Sequence, residues 1–202
     1  MWPLSQIEFI LASASPRRET LLQSIGLTFT IRPSQIVESR MAEESPLIFS
    51  QRMALEKARS VANKARAEND YRPVLGADTI VCIDEILLGK PQDRPDAKRM
   101  IHLLSGRTHT VYTAFSIIAA DGTEVKNVVG SEVLFKKLMP LEIDAYLDSG
   151  EWMDKAGGYA IQDRAAYFIR AIHGSYTCVV GLPLCEVVEG LELAWRNHSL
   201  KK

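Results

Sequence analysis

The chain has 202 residues, of which 47% are hydrophobic and 24% are charged, and it carries a formal net charge of −1 at pH 7. This composition is typical of a soluble globular protein that is long enough to bury a sizeable core. A charge so close to zero gives no long-range attraction to nucleic acid or to an anionic membrane. Neither is therefore an expected partner, and any recognition of phosphate must be local.

The first predicted elements form a corner suited to phosphate. An apolar run ending at Ala12 predicts a strand, and Ser15 is placed to cap a helix whose first turn holds Pro16, Arg17 and Arg18. Backbone N–H groups at the positive end of that helix, two arginines and the hydroxyls of Ser13 and Ser15 would meet at one place. An ordinary capped surface helix with solvated arginines is the alternative.

The next segment carries two further candidate residues. Gly26 is expected to end the first helix, a second strand follows over 27–31, and the polar residues 33–45 predict a loop that contains Glu38. A helix is predicted from Ser45 to about Glu68, with Lys57 beside its apolar stripe. A lysine in that position usually keeps its charge in water.

Residues 74–83 predict a continuous strand with one acidic residue, Asp78, in its middle. A carboxylate in a central strand needs a cation or a metal to compensate its burial. Gly76 and Ala77 leave room for a bulky group to approach. Asp78 is therefore a candidate general base or ligand of a divalent cation, and the alternative places it in solvent at a strand end.

A turn at Asp84 and Glu85 then leads through a short strand to Gly89-Lys90-Pro91. Lys90 could contact a phosphate oxygen as a point charge, although such a corner usually means only a turn. A helix over 95–104 is followed by a long hairpin, with strands over 108–119 and 124–137, and by a helix over 140–147.

The glycine-rich residues 150–162 could wrap a nucleotide base, because they combine aromatic faces with the donor and acceptor of Gln162. A long surface loop is the alternative. One or two strands, punctuated by Gly174 and Gly181, should precede a last helix over 183–195. The alternation of strands and helices predicts an α/β or α+β sheet covered by helices, in a single domain over residues 1–202.

The cysteines, histidines and apolar stretches argue against disulfides, a zinc site, export and a membrane span. The three cysteines form no CxxC pair and indicate small buried residues of a reducing compartment, and the four histidines lack zinc-binding spacing. Residues 7–14 loosely imitate a signal-peptide cleavage region, but Glu8 interrupts them and no basic residue precedes them. No apolar stretch approaches a membrane span, so a cytoplasmic location is expected.

Several short blocks, in a fixed order from about residue 9 to 193, together resemble the Maf family. They are Ser13-x-Ser15-Pro16-Arg17-Arg18, Lys57-Ala58, Gly76-Ala77-Asp78-Thr79, Gly89-Lys90-Pro91, Ser105-Gly106-x-Thr108-His109, Asp154-Lys155-Ala156-Gly157 through Tyr159-Ala160-Ile161-Gln162, and Gly174-Ser175-Tyr176 through Val180-Gly181-Leu182-Pro183-Leu184. One such motif would be weak evidence, whereas this many in order is strong evidence.

The resemblance implies a fold and an activity. The fold is a twisted mixed central sheet flanked by helices, with two lobes around a deep nucleotide cleft. The activity is that of a cytoplasmic nucleoside-triphosphate pyrophosphatase, which cleaves between the α- and β-phosphates with help from Mg²⁺ or Mn²⁺. The resemblance also suggests a homodimer. Housecleaning of nucleotide pools and arrest of cell division are both open as its role.

The resemblance also assigns roles to residues. Asp78 corresponds to the family's proton acceptor, and its specificity-setting positions fall on Arg17, Thr79 and Gln162. These three residue types are similar to the branch that acts on dTTP and UTP, whereas the branch acting on 7-methyl-GTP generally carries others. A preference for pyrimidine nucleotides follows from this resemblance.

The resulting hypothesis places the triphosphate on the first helix, held by Ser13, Arg17 and Arg18. Lys57 and Lys90 would neutralise charge on the phosphates and on the leaving pyrophosphate. Asp78 is the first candidate metal ligand and Glu38 the second. Asp78 is also the candidate that positions or deprotonates the attacking water, and the sequence leaves open whether it is the base, the metal ligand or both. Thr79 and Gln162 would read the pyrimidine edge.

Three positions depart from the family pattern. Val37 precedes Glu38 where an acidic residue is common, Asp163 follows Gln162 where glycine is usual, and Cys178 replaces a frequent asparagine. We expect activity to survive these changes, while base preference and metal affinity could shift.

Two other functions remain as alternatives. One is a pyrophosphatase for 7-methyl-GTP or another modified purine nucleotide. The other is a nucleotide-sensing regulator of septation that does not hydrolyse its ligand. A sensor would have no need for Asp78 together with Lys57 and Lys90, so the presence of all three favours an enzyme.

Overall fold

The computed structural model describes residues 7–199, and their side chains up to residue 195. The strands are β1 (Glu8–Leu11), β2 (Thr28–Ile31), β3 (Val74–Ile83), β4 (Ile86–Leu88), β5 (Thr108–Ile118), β6 (Glu124–Phe135) and β7 (Ile169–His173). The helices are α1 (Pro16–Ser24), α2 (Pro46–Ala67), α3 (Arg94–Leu104), α4 (Pro140–Asp148), α5 (Tyr176–Val180) and α6 (Leu184–Ser199). Short 3₁₀ turns span Ala156–Gly158 and Arg164–Phe168.

The strands form one seven-stranded mixed sheet in the order β2-β1-β3-β5-β6-β7, with β4 paired to β3. β1 is parallel to both β2 and β3, whereas β3 is antiparallel to β4 and β6 is antiparallel to β7. The prediction of a mixed α/β sheet flanked by helices is confirmed.

The described chain divides into two compact units. The first unit contains residues 7–78, 113–128 and 181–199, and the second unit contains residues 79–112 and 129–180. This division agrees with the two lobes expected from the family resemblance. A boundary lies between Asp78 and Thr79, within β3.

The core of the first unit forms where α2 packs on the sheet. Ser45 begins this helix by accepting a hydrogen bond from the backbone of Ile48. Its buried positions recur with helical spacing and meet apolar residues of β1, β3 and β5. This cluster contains Ile10, Ala12, Ala58, Val61, Ala62, Ala65, Val74 and Ile118.

Gly76 explains how closely α2 lies against β3. A Cβ atom at this position would be 2.4 Å from the carbonyl oxygen of Ala54 and 2.6 Å from the backbone nitrogen of Ala58. The bulky group that approaches at Gly76 is therefore the backbone of α2. Glycine is required there because the helix and the strand touch backbone to backbone.

The last third of the chain differs from the sequence-based expectation in one element. The segment between Gly174 and Gly181 contains the helix α5, where the sequence predicts a strand. Ser175 overrides that local preference, since its side chain accepts a hydrogen bond from the backbone of Cys178 at 3.2 Å. A single strand, β7, precedes α5.

The cysteines also differ in part from expectation. Cys178 is buried, Cys82 is half-buried and Cys185 is exposed, and all three are free thiols. The prediction that all three are buried is therefore wrong for Cys185 and only partly right for Cys82. Among residues 7–199, no helix combines the length and apolar character needed to cross a membrane.

His109 lies in an aromatic cluster of the second unit. Its Nε2 is 2.6 Å from the hydroxyl of Tyr159, and its ring packs edge-on against Phe135 and Tyr159. Nδ1 is buried without a hydrogen-bond partner among the described residues. Burial lowers the pKa of His109 from 6.5 to about 4, because a charged imidazolium would lose its hydration there.

This shift makes stability depend on pH. Between pH 6.5 and pH 4 the unfolded chain binds a proton at His109 that the folded chain does not, so stability falls as the pH falls through that window. We expect this difference in pKa to lower the free energy of unfolding by about 2 kcal/mol when the pH falls from 7 to 5. Urea unfolding at the two pH values should show this loss in the wild type and a smaller one in His109→Gln. The matched control His173→Gln alters an exposed histidine and should lose as much unfolding free energy between the two pH values as the wild type. An equal loss of unfolding free energy in the wild type and in His109→Gln would contradict the lowered pKa of His109.

Candidate active site

Asp78 and Lys57 form a buried ion pair within the first unit. Asp78 lies on β3 and is 6% exposed, and Lys57 lies on α2 and is 7% exposed. The ammonium Nζ of Lys57 donates to Oδ1 of Asp78 at 2.7 Å. The close packing at Gly76 carries Lys57 to the strand, because Lys57 directly precedes Ala58 in the contact. The alternative that places Asp78 in solvent is therefore wrong, and so is the expectation that Lys57 keeps its charge in water.

The environment of Asp78 alters its acidity. Burial raises the pKa of Asp78 above 3.8, and the positive charges of Lys57 and Arg18 partly oppose that shift. A carboxylate that is desolvated and held by one neighbouring cation is a strong candidate for a general base. Lys57 occupies Oδ1, which leaves Oδ2 as the oxygen better placed to accept a proton.

Glu38 approaches the same ammonium from the loop between β2 and α2. Its Oε1 is 2.9 Å from Nζ of Lys57, and its side chain is 49% exposed. Lys57 therefore bridges two carboxylates, one buried and one half-exposed. The sequence prediction named Glu38 and Asp78 for one centre, and the structure brings them together.

Arg18 is held by the protein itself. Its guanidinium donates from Nε to the carbonyl oxygen of Gly181 at 2.8 Å and from Nη1 to Oγ of Ser13 at 3.0 Å. The same Oγ accepts a hydrogen bond from the backbone of Ser15 at 3.2 Å. Burial lowers the pKa of Arg18, and the charge of Asp78 opposes this shift. Arg18 thus orders the turn between β1 and α1 as well as adding positive charge.

The start of α1 partly matches expectation. Ser15 is the capping residue and Pro16 follows it, as predicted, but the Ser15 side chain makes no capping hydrogen bond. Arg17 is half-buried and lies beside Arg18. Among the side chains that the structure describes, up to residue 195, the Arg17 guanidinium has no hydrogen-bond or ion-pair partner. Its guanidinium is therefore available to an anion at the positive end of α1.

Three predicted site residues lie in the second unit. Thr79 is half-buried and directly follows Asp78 on β3, while Gln162 is exposed in a turn. Lys90 follows β4 and is exposed, with Nζ 3.9 Å from a carboxylate oxygen of Asp154. The structure thus gathers Ser13, Arg18, Glu38, Lys57 and Asp78 in the first unit, and the roles of these residues stay predictions, as do those of Thr79, Lys90 and Gln162.

Some residues of this centre were missed from the sequence. The sequence predicts Gly181 only as an interruption before the last helix, yet its carbonyl oxygen accepts a hydrogen bond from the Arg18 guanidinium. Its φ of +126° allows the backbone conformation that glycine favours. The only available signal was its place in the last family-like block. Glu44 and Arg52, which hold the Glu38 loop, carried no motif signal at all.

The donor set fits a divalent cation only in combination with a phosphate ligand. Among residues 7–199, no group of three or more histidine, cysteine, aspartate or glutamate side chains could hold a metal. The pair Asp78 and Glu38 supplies oxygen donors of the kind that Mg²⁺ prefers. Mg²⁺ is commonly bound by one or two carboxylates together with substrate phosphates, rather than by an all-protein cage.

Comparison with known proteins assigns the chain to a family. A family model described as Maf-like protein matches residues 8–194. The dTTP/UTP pyrophosphatase of Geobacter metallireducens is 52% identical over 184 residues, which cover 90% of this chain and 93% of that protein. The dTTP/UTP pyrophosphatase of Syntrophotalea carbinolica is 49% identical over 184 residues, covering 91% and 83% respectively.

Among solved structures, a HAM1 protein from Coxiella burnetii matches 96% of this chain and 100% of its own at a TM-score of 0.48 and 13% identity, too weak a likeness to bear on function. The family match and the identities near one half, by contrast, extend over nine-tenths of the sequence. The chain belongs to the family of Maf-like proteins.

Proposed function

We propose that this protein hydrolyses nucleoside triphosphates to the monophosphate and pyrophosphate, with dTTP and UTP as its preferred substrates. The observation that carries the proposal is the buried Asp78–Lys57 pair beside the arginine-bearing start of α1. The preference for dTTP and UTP is supported by relatives of that name at 49% and 52% identity. It is also supported by the residue types at Arg17, Thr79 and Gln162.

The chemical step is displacement at the α-phosphorus. The oxygen of a water molecule attacks this atom, the bond to the bridging oxygen breaks, and pyrophosphate leaves with that oxygen. Oδ2 of Asp78 accepts the proton of the water, and the raised pKa of Asp78 makes it a better proton acceptor than an exposed aspartate.

Positive charge beside Asp78 stabilises the transition state. The ammonium of Lys57 is fixed by two carboxylates, so it needs no reorganisation as negative charge develops on the phosphoryl oxygens. Arg17 would hold the phosphates in bidentate fashion at the start of α1, and Ser13 would donate its hydroxyl hydrogen. Arg18 keeps the turn that carries Ser13 in place.

A divalent cation, Mg²⁺ or Mn²⁺, would be held by Glu38 and Asp78 together with the phosphates, where it would neutralise their charge. Lys90 would contact the leaving pyrophosphate, and Thr79 with Gln162 would read the pyrimidine. We further propose that residues 1–202 act as one functional domain, as a homodimer in the cytoplasm. Both housecleaning of nucleotide pools and control of cell division are consistent with this chemistry.

Release of pyrophosphate by the purified protein tests the proposal. Initial rates would be measured with Mg²⁺ and with Mn²⁺ on dTTP, UTP, CTP, GTP and 7-methyl-GTP. We expect the highest kcat/KM on dTTP and UTP. Faster release from 7-methyl-GTP would replace the pyrimidine preference with a purine one. Tight nucleotide binding without release from any substrate would overturn the enzyme and favour a sensor.

Gln162→Ala should change the choice of base more than the rate of the chemical step. Loss of one hydrogen-bonding side chain to the base is expected to lower the ratio of kcat/KM for UTP over CTP by about 10-fold. The control Gln92→Ala removes another exposed amide of the second unit and should leave the ratio unchanged. An unchanged ratio in Gln162→Ala would show that this residue does not read the base.

A further inference from the structure

The loop that carries Glu38 is held by a charged side chain that the proposed mechanism does not use. Residues 32–45 form neither helix nor strand, yet Glu44 within them is only 8% exposed. Arg52, on the first half of α2, donates from Nε to Oε1 of Glu44 and from Nη2 to Oε2, each at 2.7 Å. This two-point contact fixes the orientation of both side chains.

Further contacts join this pair to the backbone of the loop. Arg52 Nη2 also donates to the carbonyl oxygen of Ser39 at 2.9 Å, directly after Glu38. The carboxylate of Glu44 accepts from the backbone of Met41 at 3.1 Å, and its carbonyl oxygen accepts from Arg40 Nε at 2.6 Å. The loop is therefore closed around Glu44 and tied to α2 next to Glu38.

The same helix holds Glu38 at two points. Lys57, five residues after Arg52 on α2, contacts the Glu38 side chain, and Arg52 contacts the carbonyl group of the following residue. Because α2 is one continuous helix from Pro46 to Ala67, the spacing between these two anchors is rigid. A half-exposed glutamate on an irregular loop would otherwise sample many positions.

We propose that Arg52, acting with Glu44, is a positioning residue that holds the Glu38 carboxylate in place for a divalent cation bound with the nucleotide. This inference rests on the proposed function, because it assigns Glu38 to the cation. Arg52 also makes an ordinary helix-surface pair with Glu56 at 3.1 Å, which needs no loop contact. The contact with Ser39 has no part in stabilising the helix and serves only the loop. Arg52 also holds the pKa of Glu44 at about 2, so the pair stays charged throughout the neutral range.

The test measures cation binding without turnover. Mn²⁺ would be titrated into the protein saturated with α,β-methylene-dTTP and followed by electron paramagnetic resonance of free Mn²⁺. The variants are Arg52→Gln, Arg52→Lys, Glu38→Gln and the double variant Arg52→Gln/Glu38→Gln. Arg59→Gln is the matched control. Arg59 also lies on α2, but its Nε donates to Oε1 of Glu124 at 2.6 Å and does not contact the loop. Hydrogen exchange of the amides of residues 36–42, without ligand, would follow the loop itself.

We expect Arg52→Gln and Arg52→Lys to weaken Mn²⁺ binding by about 10-fold, as is typical when a group that orients a metal ligand is lost. Arg52→Gln should add nothing further in the Glu38→Gln background, because its effect passes through Glu38. Exchange of the loop amides should rise in both Arg52 variants and stay unchanged in Arg59→Gln. Lysine keeps the charge but not the two-point contact, so Arg52→Lys tests the inference if Arg52→Gln fails to fold.

Each contrary outcome has a distinct meaning. The positioning role would be overturned if Arg52→Lys kept the wild-type affinity for Mn²⁺. It would also be overturned if Arg52→Gln weakened Mn²⁺ binding as much in the Glu38→Gln background as in the wild type. Both outcomes would leave the proposed activity intact. Mn²⁺ affinity that is unaffected by Glu38→Gln would remove the cation role of Glu38, and the inference with it. Absence of pyrophosphate release from every nucleotide would overturn the proposed function, whatever the loop amides show.

Discussion

Asp78→Asn is expected to lower the rate of pyrophosphate release from dTTP by about 10²- to 10⁴-fold, the usual contribution of a positioned general base. Asparagine keeps the size of the side chain but cannot accept the proton of the attacking water at neutral pH. The effect should fall on kcat, because the Arg17 and Lys57 charges that bind the phosphates remain. Single-turnover measurement of pyrophosphate, with saturating dTTP and Mg²⁺, separates the chemical step from product release.

Asp70→Asn is the control for this experiment. Asp70 is also a carboxylate of the first unit, but its nearest ion-pair partner is Arg72, at a distance of 2.7 Å, and not Lys57. This variant should keep the wild-type rate. Near-normal turnover in Asp78→Asn, with an unchanged melting temperature, would contradict the assignment of Asp78 as the base.

Lys57→Met is expected to affect both stability and the pH profile. Methionine fills a similar volume, but it leaves the buried Asp78 without its closest counter-charge. Removing one partner of a buried ion pair costs about 3–5 kcal/mol of unfolding free energy. Denaturant unfolding at pH 7 should therefore show a loss of that size. Lys64→Met, which changes an exposed lysine of the same helix, should show little.

The pH dependence has a definite sign. Burial raises the pKa of Asp78 in the folded protein and Lys57 opposes this, so loss of Lys57 raises that pKa further. Because the charged carboxylate is the active form, the acid limb of kcat/KM should move to higher pH in Lys57→Met. A raised folded pKa also means that stability is lost as the pH rises above 3.8 toward the folded value. The destabilisation of Lys57→Met should thus grow as the pH rises above 3.8.

The double variant Lys57→Met/Asp78→Asn isolates the pair. Removing both charges leaves no uncompensated carboxylate, so the double variant should recover much of the stability lost in Lys57→Met. A double variant that is as unstable as the sum of the two single ones would show that the pair does not couple. A pH profile of Lys57→Met that matches the wild type would show that Lys57 does not tune Asp78.

Local patterns in the sequence were sufficient to predict most of the elements. Ser45 followed by Pro46 predicted the start of α2, and Asp84 with Glu85 predicted the turn between β3 and β4, because capping and turn formation depend on adjacent residues. Asp78 stood out because it is the one charged residue of an apolar strand. Its need for a buried cation followed from electrostatics alone, but the sequence offered no geometry for choosing that cation.

The sequence by itself determined the family, the order of most strands and helices, and a carboxylate in need of a partner. The tertiary structure decided that Lys57 is that partner, because only the backbone contact at Gly76 brings α2 to β3. It also decided that Arg18 binds the carbonyl of a residue 163 positions later, and that Arg52 holds the loop of Glu38. Such contacts join residues with no fixed spacing along the chain. Periodicity and capping depend on residues that are close in sequence, so these patterns cannot predict contacts between distant residues.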